Sequence, residues 1–180
     1  ALYVHVPFCR SKCRYCDFPS RALGAERAGV ARYLRALARE AEVRRREVDR
    51  PLRSIFIGGG TPTLLTPAEL RQLWDAAVAP FPRAADCEIS VEANPGTLTP
   101  AHAETLAALP GNRVSLGAQS FHVAELAMLG RIHAPEQVAE ITLMAANEVK
   151  RFGVEPKAAL LSHSNFGSVR SESALKMAAA

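Results

Sequence analysis

Residues 2–18 read Leu2-Tyr3-Val4-His5-Val6-Pro7-Phe8-Cys9-Arg10-Ser11-Lys12-Cys13-Arg14-Tyr15-Cys16-Asp17-Phe18, an alternating stretch that runs straight into a cysteine loop. Leu2, Val4 and Val6 fall on one face and Tyr3 and His5 on the other, the period of a strand. Pro7 closes it, because proline has no N–H to give to a ladder. Cys9, Cys13 and Cys16 then share one short loop. Such a loop brings three thiolates to one side but does not readily wrap a fourth ligand around the same centre. Ordinary iron–sulfur clusters use four thiolates, so three suggest a four-iron cluster with one iron open to an exogenous ligand. The alternatives are structural zinc and unmetallated cysteines. Zinc wants a fourth protein ligand, and His5, the nearby candidate, belongs to the strand rather than the loop.

Working outward, strands and helices alternate. Residues 25–48 carry Val30, Leu34, Leu37 and Ala41 at helical spacing, with arginines and glutamates opposite. Ser54–Ile57 reads as a strand that ends in Gly58-Gly59-Gly60-Thr61-Pro62-Thr63. Thr66, Pro67 and Glu69 form a helix start with a capping box, and Leu70, Leu73, Ala77 and Val78 face inward. Cys87 to Ala93 alternates again, with Cys87, Ile89 and Val91 on one face and Glu88, Ser90 and Glu92 on the other. Cys87 reads as a small buried apolar residue, not a ligand. Thr99 caps a helix from Pro100, and Arg113 to Gly117 is the next strand. Helices follow over 122–129 and 135–152, with Gly153 suited to the second C-cap. Lys157–Leu161 reads as a strand, Ser162–Ser168 as a loop and Ser171 onward as a weak helix.

This alternation predicts an α/β fold with a parallel sheet and right-handed crossovers. Working groups in such folds gather at the C-terminal ends of strands. The cysteine loop, the glycine run, Glu92 and Gln119 all lie at or beyond a strand end. The glycine run lacks the lysine of a phosphate loop and the spacing of a dinucleotide fingerprint. It is either a tight turn or a backbone cradle for a ligand. Glu92, if buried, needs a partner: an arginine, or the hydroxyls of a bound ribose. Gln119 and Arg131 are either further ligand contacts or a strand-end hydrogen bonder and a surface charge.

Composition narrows the classes. The chain has 180 residues, 48% hydrophobic and 22% charged, with a net charge of +4. That is enough for one domain. No apolar run approaches a membrane span. The arginines at 44, 45, 46, 50 and 53 lack the interleaved aromatics of a nucleic-acid surface and read as a solvated helix end. Clustered cysteines without a signal pattern lead to the expectation of a reducing, cytoplasmic compartment. The chain opens without an initiator Met, so a piece of a longer product is expected.

The strings Y-V-H-V-P-F-C-R-S-K-C-R-Y-C-D-F (3–18), I-F-I-G-G-G-T-P-T-L-L (55–65), E-A-N-P-G-T (92–97), R-V-S-L-G-A-Q-S-F (113–121) and L-G-R-I-H (129–133) resemble one branch of the radical S-adenosylmethionine (radical SAM) enzymes. That branch is the oxygen-independent coproporphyrinogen III oxidases and the related HemW-type heme chaperones. The resemblance covers residues 1–138. It implies a truncated, partial (β/α) barrel, with a [4Fe-4S] cluster on Cys9, Cys13 and Cys16. Tyr3, Gly59, Gly60, Thr61, Glu92, Gln119 and Arg131 match positions that contact S-adenosylmethionine. It also implies heme or a porphyrin as partner and an electron donor such as a flavodoxin or ferredoxin. The oxidases carry a further cysteine two residues after the third cluster cysteine. Here that place is Phe18, as in the chaperone branch.

Residues 148–168 and 173–177 instead resemble part of the phosphate acetyltransferase domain fused to bacterial malic enzymes. The expected organisation is therefore the N-terminal part of a radical SAM domain over 1–138 and an acetyltransferase-like fragment over 139–180. Two rival functions stand beside heme delivery: coproporphyrinogen III dehydrogenation, and an inactive fusion product.

Overall fold

The computed structural model describes residues 1–24, 27–111 and 113–159. Its main sheet has four strands: β1 (Leu2–Val6), β4 (Leu52–Gly59), β5 (Arg83–Ala93) and β6 (Arg113–Leu116), in the order β1-β4-β5-β6, with every neighbouring pair parallel. Two short strands, β2 (Phe8–Cys9) and β3 (Arg21–Ala22), form a separate parallel pair. The helices are α1 (Ala28–Arg44), α2 (Pro67–Ala77), α3 (Pro100–Ala108), α4 (Val123–Leu129) and α5 (Pro135–Arg151).

The strand order never reverses along the chain. With right-handed crossovers, such an order lays successive helices on one face of the sheet. The packing agrees: α1 lies on α2, α2 on α3 and α3 on α5. This is part of a singly wound (β/α) barrel wall, not a doubly wound sandwich. Val4, Val6, Ile55, Ile57, Cys87, Ile89 and Val91 bury against those helices, where they meet Val30, Leu34, Leu70, Leu73 and Trp74. The opposite face carries Tyr3, His5, Phe56, Ser90 and Glu92. Tyr3 stacks on Phe56 there, with ring centroids 6.1 Å apart.

The capping signals act as the sequence reads. Thr66 accepts from the Glu69 amide while Glu69 accepts from the Thr66 amide. At α3 the reciprocal partner is His102, whose Nδ1 lies 2.6 Å from Thr99 Oγ1 and whose Nε2 reaches the Leu65 carbonyl at 2.8 Å. Gly153 sits at φ +75° just after α5, the left-handed position glycine fills at least cost. Three readings shift. The first helix starts at Ala28, with Arg27 in the left-handed region at φ 48° and no side-chain cap. Arg45–Glu47 tightens into a 3₁₀ turn rather than continuing α1. Residues 157–159 form no strand, and the rest of that segment, with the 162–168 loop and the final helix, lies outside the described residues. No helix among the described residues is long and apolar enough to cross a membrane.

Tyr33 ties α1 to the sheet. Its hydroxyl donates to the His5 carbonyl at 2.7 Å, and its ring meets Phe8 edge-on at 5.5 Å. Burial, reinforced by the charge of Glu40, pushes its hydroxyl well above the ordinary range, so it stays a donor. Tyr33→Phe removes that donor and keeps the ring. It should lower unfolding stability by about 1 kcal/mol, read from urea midpoints at unchanged slope.

Candidate cofactor site

The cysteine loop is clipped at its base. The Arg21 amide donates to the Pro7 carbonyl at 2.9 Å and the Leu23 amide to the Cys9 carbonyl at 2.8 Å. The loop between is therefore closed at both ends, as a metal-binding loop needs to be. Its middle rests on the end of α4: the Arg14 amide donates to the Leu129 carbonyl at 3.2 Å, and Gly130 lies against Cys13 and Arg14. Cys9 is buried, while Cys13 and Cys16 are half-buried.

Among the described residues no three His, Cys, Asp or Glu side chains are gathered at metal-binding distance. The three thiols share one loop but do not converge on a common point. Their chemistry fits a soft metal or an iron–sulfur cluster. His5 does not complete a zinc set, because both its nitrogens are engaged. Nε2 lies 3.0 Å from the Pro19 carbonyl, which can only accept, so Nε2 carries the proton. Nδ1 then accepts from the Tyr3 hydroxyl at 2.9 Å. The ring also stacks on Phe18, with centroids 6.4 Å apart. His5 thus fastens the far arm of the loop over the sheet.

The glycine run lies beside this loop. The Gly60 amide donates to the Val6 carbonyl at 2.7 Å. A Cβ on Gly60 would stand 2.5 Å from the Phe8 carbonyl oxygen, so only glycine lets the chain pass there. Gly59 sits at φ +106°, and a Cβ on it would meet the His5 ring at 2.6 Å. Its amide donates to Glu92 Oε2 at 3.0 Å. The amides of Gly59 and Gly60 are thus both engaged within the protein. The space that their missing Cβ atoms leave is taken by the His5 ring and the Phe8 backbone.

Glu92 has no arginine partner among the described residues, where Arg113 pairs with Glu88 instead. Its carboxylate rests on Gly58 and Gly59. Burial first, and then the Glu92 charge, push the Tyr3 hydroxyl upward, so Tyr3 and Glu92 share one electrostatic neighbourhood. Thr61 is buried, and its hydroxyl accepts from Asn94 Nδ2 at 2.9 Å.

Arg131 reaches three rim loops at once. Nη1 approaches Cys13 Sγ at 3.6 Å, and Nη2 donates to Asn94 Oδ1 at 2.7 Å and to the Gly117 carbonyl. Its Nε is buried without a partner, an N–H that an oxygen of a bound group would satisfy. Gln119 is exposed and left-handed at φ +69°, beside the same rim. Cys13, Thr61, Asn94, Thr97, Arg131 and His133 line one small crevice there. The structure therefore brings Cys13, Thr61 and Arg131 together around that crevice. Tyr3, Gly59 and Glu92 form a second group on the open sheet face, joined to the first through Gly60 and His5. Sequence reasoning gave no role to Asn94 or His133. A polar side chain directly after a strand end was the available signal for Asn94.

The donor set, closed loop and orphaned Arg131 N–H fit a cluster with an organic co-ligand. Comparison with known proteins points the same way. The family model of the radical SAM superfamily matches residues 3–156. The heme chaperone HemW of Escherichia coli K12 is 41% identical over 150 residues, covering 81% of this chain and 39% of that protein. HemW of Mycobacterium tuberculosis H37Rv is 40% identical over 150 residues, 82% of this chain and 38% of that one. The bovine mitochondrial radical S-adenosyl methionine domain-containing protein 1 is 37% identical over 139 residues, 74% and 30% respectively. The solved structure of E. coli coproporphyrinogen III oxidase, HemN, described as a radical SAM enzyme, superposes with a TM-score of 0.73 at 29% identity, over 84% of this chain and 34% of that one. The chain thus spans about two fifths of the length of the two bacterial HemW relatives and 30% of the bovine one.

Two outcomes are expected. Gly60→Ala forces the Phe8 backbone away and should cost about 1–3 kcal/mol in unfolding stability, with faster proteolysis in the 9–22 loop. The second concerns pH. Burial first, then the Arg131 charge, hold His133 below its ordinary value of 6.5, against an upward pull from the Ala118 carbonyl. A lowered folded-state value means the unfolded chain binds the proton more readily, so stability falls as pH drops below that ordinary value. Thermal midpoints between about pH 7.5 and 5.5 should decline, and His133→Gln should flatten that slope.

Proposed function

The chain belongs to the radical SAM superfamily, and from that premise we propose that it is the front part of a HemW-type heme chaperone. Cys9, Cys13 and Cys16 would hold a [4Fe-4S] cluster, and Tyr3, Gly59, Gly60, Thr61, Glu92, Gln119 and Arg131 would contact S-adenosylmethionine. When bound, the pair supplies one-electron reductive chemistry. This chain's part is to hold and orient. Glu92, propped by the Gly59 amide, presents a carboxylate to ribose hydroxyls. Arg131 offers its unpartnered Nε–H to an oxygen. Heme is the proposed cargo, and a flavodoxin- or ferredoxin-like carrier the proposed electron source.

The observation that carries the chaperone reading over oxidation is Phe18. It stands where the oxidases bear a further cysteine, and it is stacked on His5 rather than offering a thiol. A second reading, coproporphyrinogen III dehydrogenation, is favoured by the superposition on HemN. We also propose a composite chain, with residues 139–180 drawn from an acetyltransferase-like source. In support of a workable join, α5 runs unbroken through residue 138, and its Ile141, Met144 and Ala145 pack on the core.

Anaerobic reconstitution with iron and sulfide should give a brown protein with a four-iron electron paramagnetic resonance signal that changes on adding S-adenosylmethionine. Cys13→Ala should abolish uptake, because a methyl group cannot replace a thiolate. Cys87→Ala should keep the iron and cost about 1 kcal/mol. A colourless protein that binds zinc tightly would refute the reading, and turnover of coproporphyrinogen III would move it to the dehydrogenase.

A further inference from the structure

Arg131 and His133 stand two residues apart in the turn after α4, and both reach the segment that leaves β6. Arg131 Nη2 donates to the carbonyl of Gly117. His133 Nε2 lies 3.0 Å from the carbonyl of the next residue, Ala118. Two consecutive peptide oxygens are thus captured by two side chains from one turn. The residue that follows, Gln119, is left-handed at φ +69°, a conformation that a residue with a Cβ adopts only when its surroundings impose it. On the far side, Ser120 is buried, bonded to Glu125 and accepting from the His122 amide at 3.0 Å. Gln119 is therefore held between two fixed points. Its side-chain nitrogen folds back to within 3.2 Å of where a Cβ on Gly117 would stand, and that position is also 3.1 Å from Asn94 Oδ1.

We propose that Arg131 and His133 act as a two-pronged clamp, and that His133 is a positioning residue which sets the Gln119 turn for S-adenosylmethionine. The proposal rests on the cofactor site described above. His133 need not touch the ligand. Its geometry requires Nε2 to carry the proton, because a carbonyl only accepts. Burial keeps the ring from exchanging that donor for water. The clamp shares Arg131 with the crevice, so a loosened Ala118 would shift Gln119 and Asn94 together.

The test uses the whole chain, reconstituted anaerobically, as wild type, His133→Phe and His133→Gln. Glutamine can place an amide N–H near the position of Nε2, while phenylalanine fills the space without a donor. Cluster content should be equal in all three. His133→Phe should bind S-adenosylmethionine about tenfold more weakly, the equivalent of one hydrogen bond, and His133→Gln should recover most of that loss. Unchanged affinity in His133→Phe, equal losses in both variants tracking their thermal midpoints, or loss of the cluster would each overturn the clamp. Nitrogen-15 spectra of the histidines in the apo chain give a readout independent of the cofactor. His133 should appear as the Nε2–H tautomer, and an Nδ1–H ring would overturn the proposal. A wild-type chain that holds its cluster but ignores S-adenosylmethionine would fail the function reading instead, with the clamp still decided by the tautomer.

Discussion

The site hangs on one backbone hydrogen bond. The Gly60 amide donates to the Val6 carbonyl at 2.7 Å, at the point where β1 leaves the sheet and the chain turns into the cysteine loop. Two backbones cross there with no room for a side chain between them. The crossing sets where Cys9 emerges relative to the end of β4. It fixes the glycine run beside the loop, and through Gly59 it fixes the seat of Glu92. A parallel strand pair needs a helical crossover to return the chain. This contact therefore spans a long loop, and α1 packed against the sheet offsets the entropy of closing it.

Around that crossing, polar groups are matched almost one to one. His5 links Tyr3 to Pro19, Asn94 links Thr61 to Arg131, and Arg131 links Cys13 to Gly117. These bonds join four separate strand ends, and each end is itself set by an apolar face buried under helices. A rim built this way is stiff at its base. Among the described residues the exceptions are Ser20 Oγ and the Arg131 Nε, each buried without a partner, and of the two only Arg131 lines the crevice. Such a group is costly unless a ligand satisfies it, which is why it marks the crevice.

Much of this was legible in residue order. The period-2 stretches at 2–6 and 87–93 and the caps at Thr66 and Thr99 name their elements directly, because each signal acts through neighbours a few residues away. The cysteine loop, the glycine run, Glu92 and Gln119 were legible as strand-end groups for the same reason. Other features were not. Nothing near Arg27 announces a left-handed entry to α1, where its guanidinium reaches Glu69 and the Leu64 carbonyl, both far off in the chain. Lys157–Ala159, the described part of the segment read as a strand, pairs with no strand among the described residues; lysine and alanine favour strands little, and β-propensity counts only where a neighbouring strand supplies a ladder.

The sequence alone determined the main strands and helices, their order, and the set of residues able to bind a metal or a ligand, since those depend on local periodicity and side-chain chemistry; the short pair β2 and β3 and the 3₁₀ turn after α1 were not legible there. Tertiary structure decided which of them meet. It assigned both nitrogens of His5 to the protein, spent the Gly59 and Gly60 amides internally, and gave Glu92 no arginine partner among the described residues. It also placed Arg131 and His133 on consecutive carbonyls of the segment that leaves β6, which they do not adjoin in the chain. Those outcomes depend on distances between segments far apart in sequence, and such distances exist only once the sheet and its helices have closed around a common core.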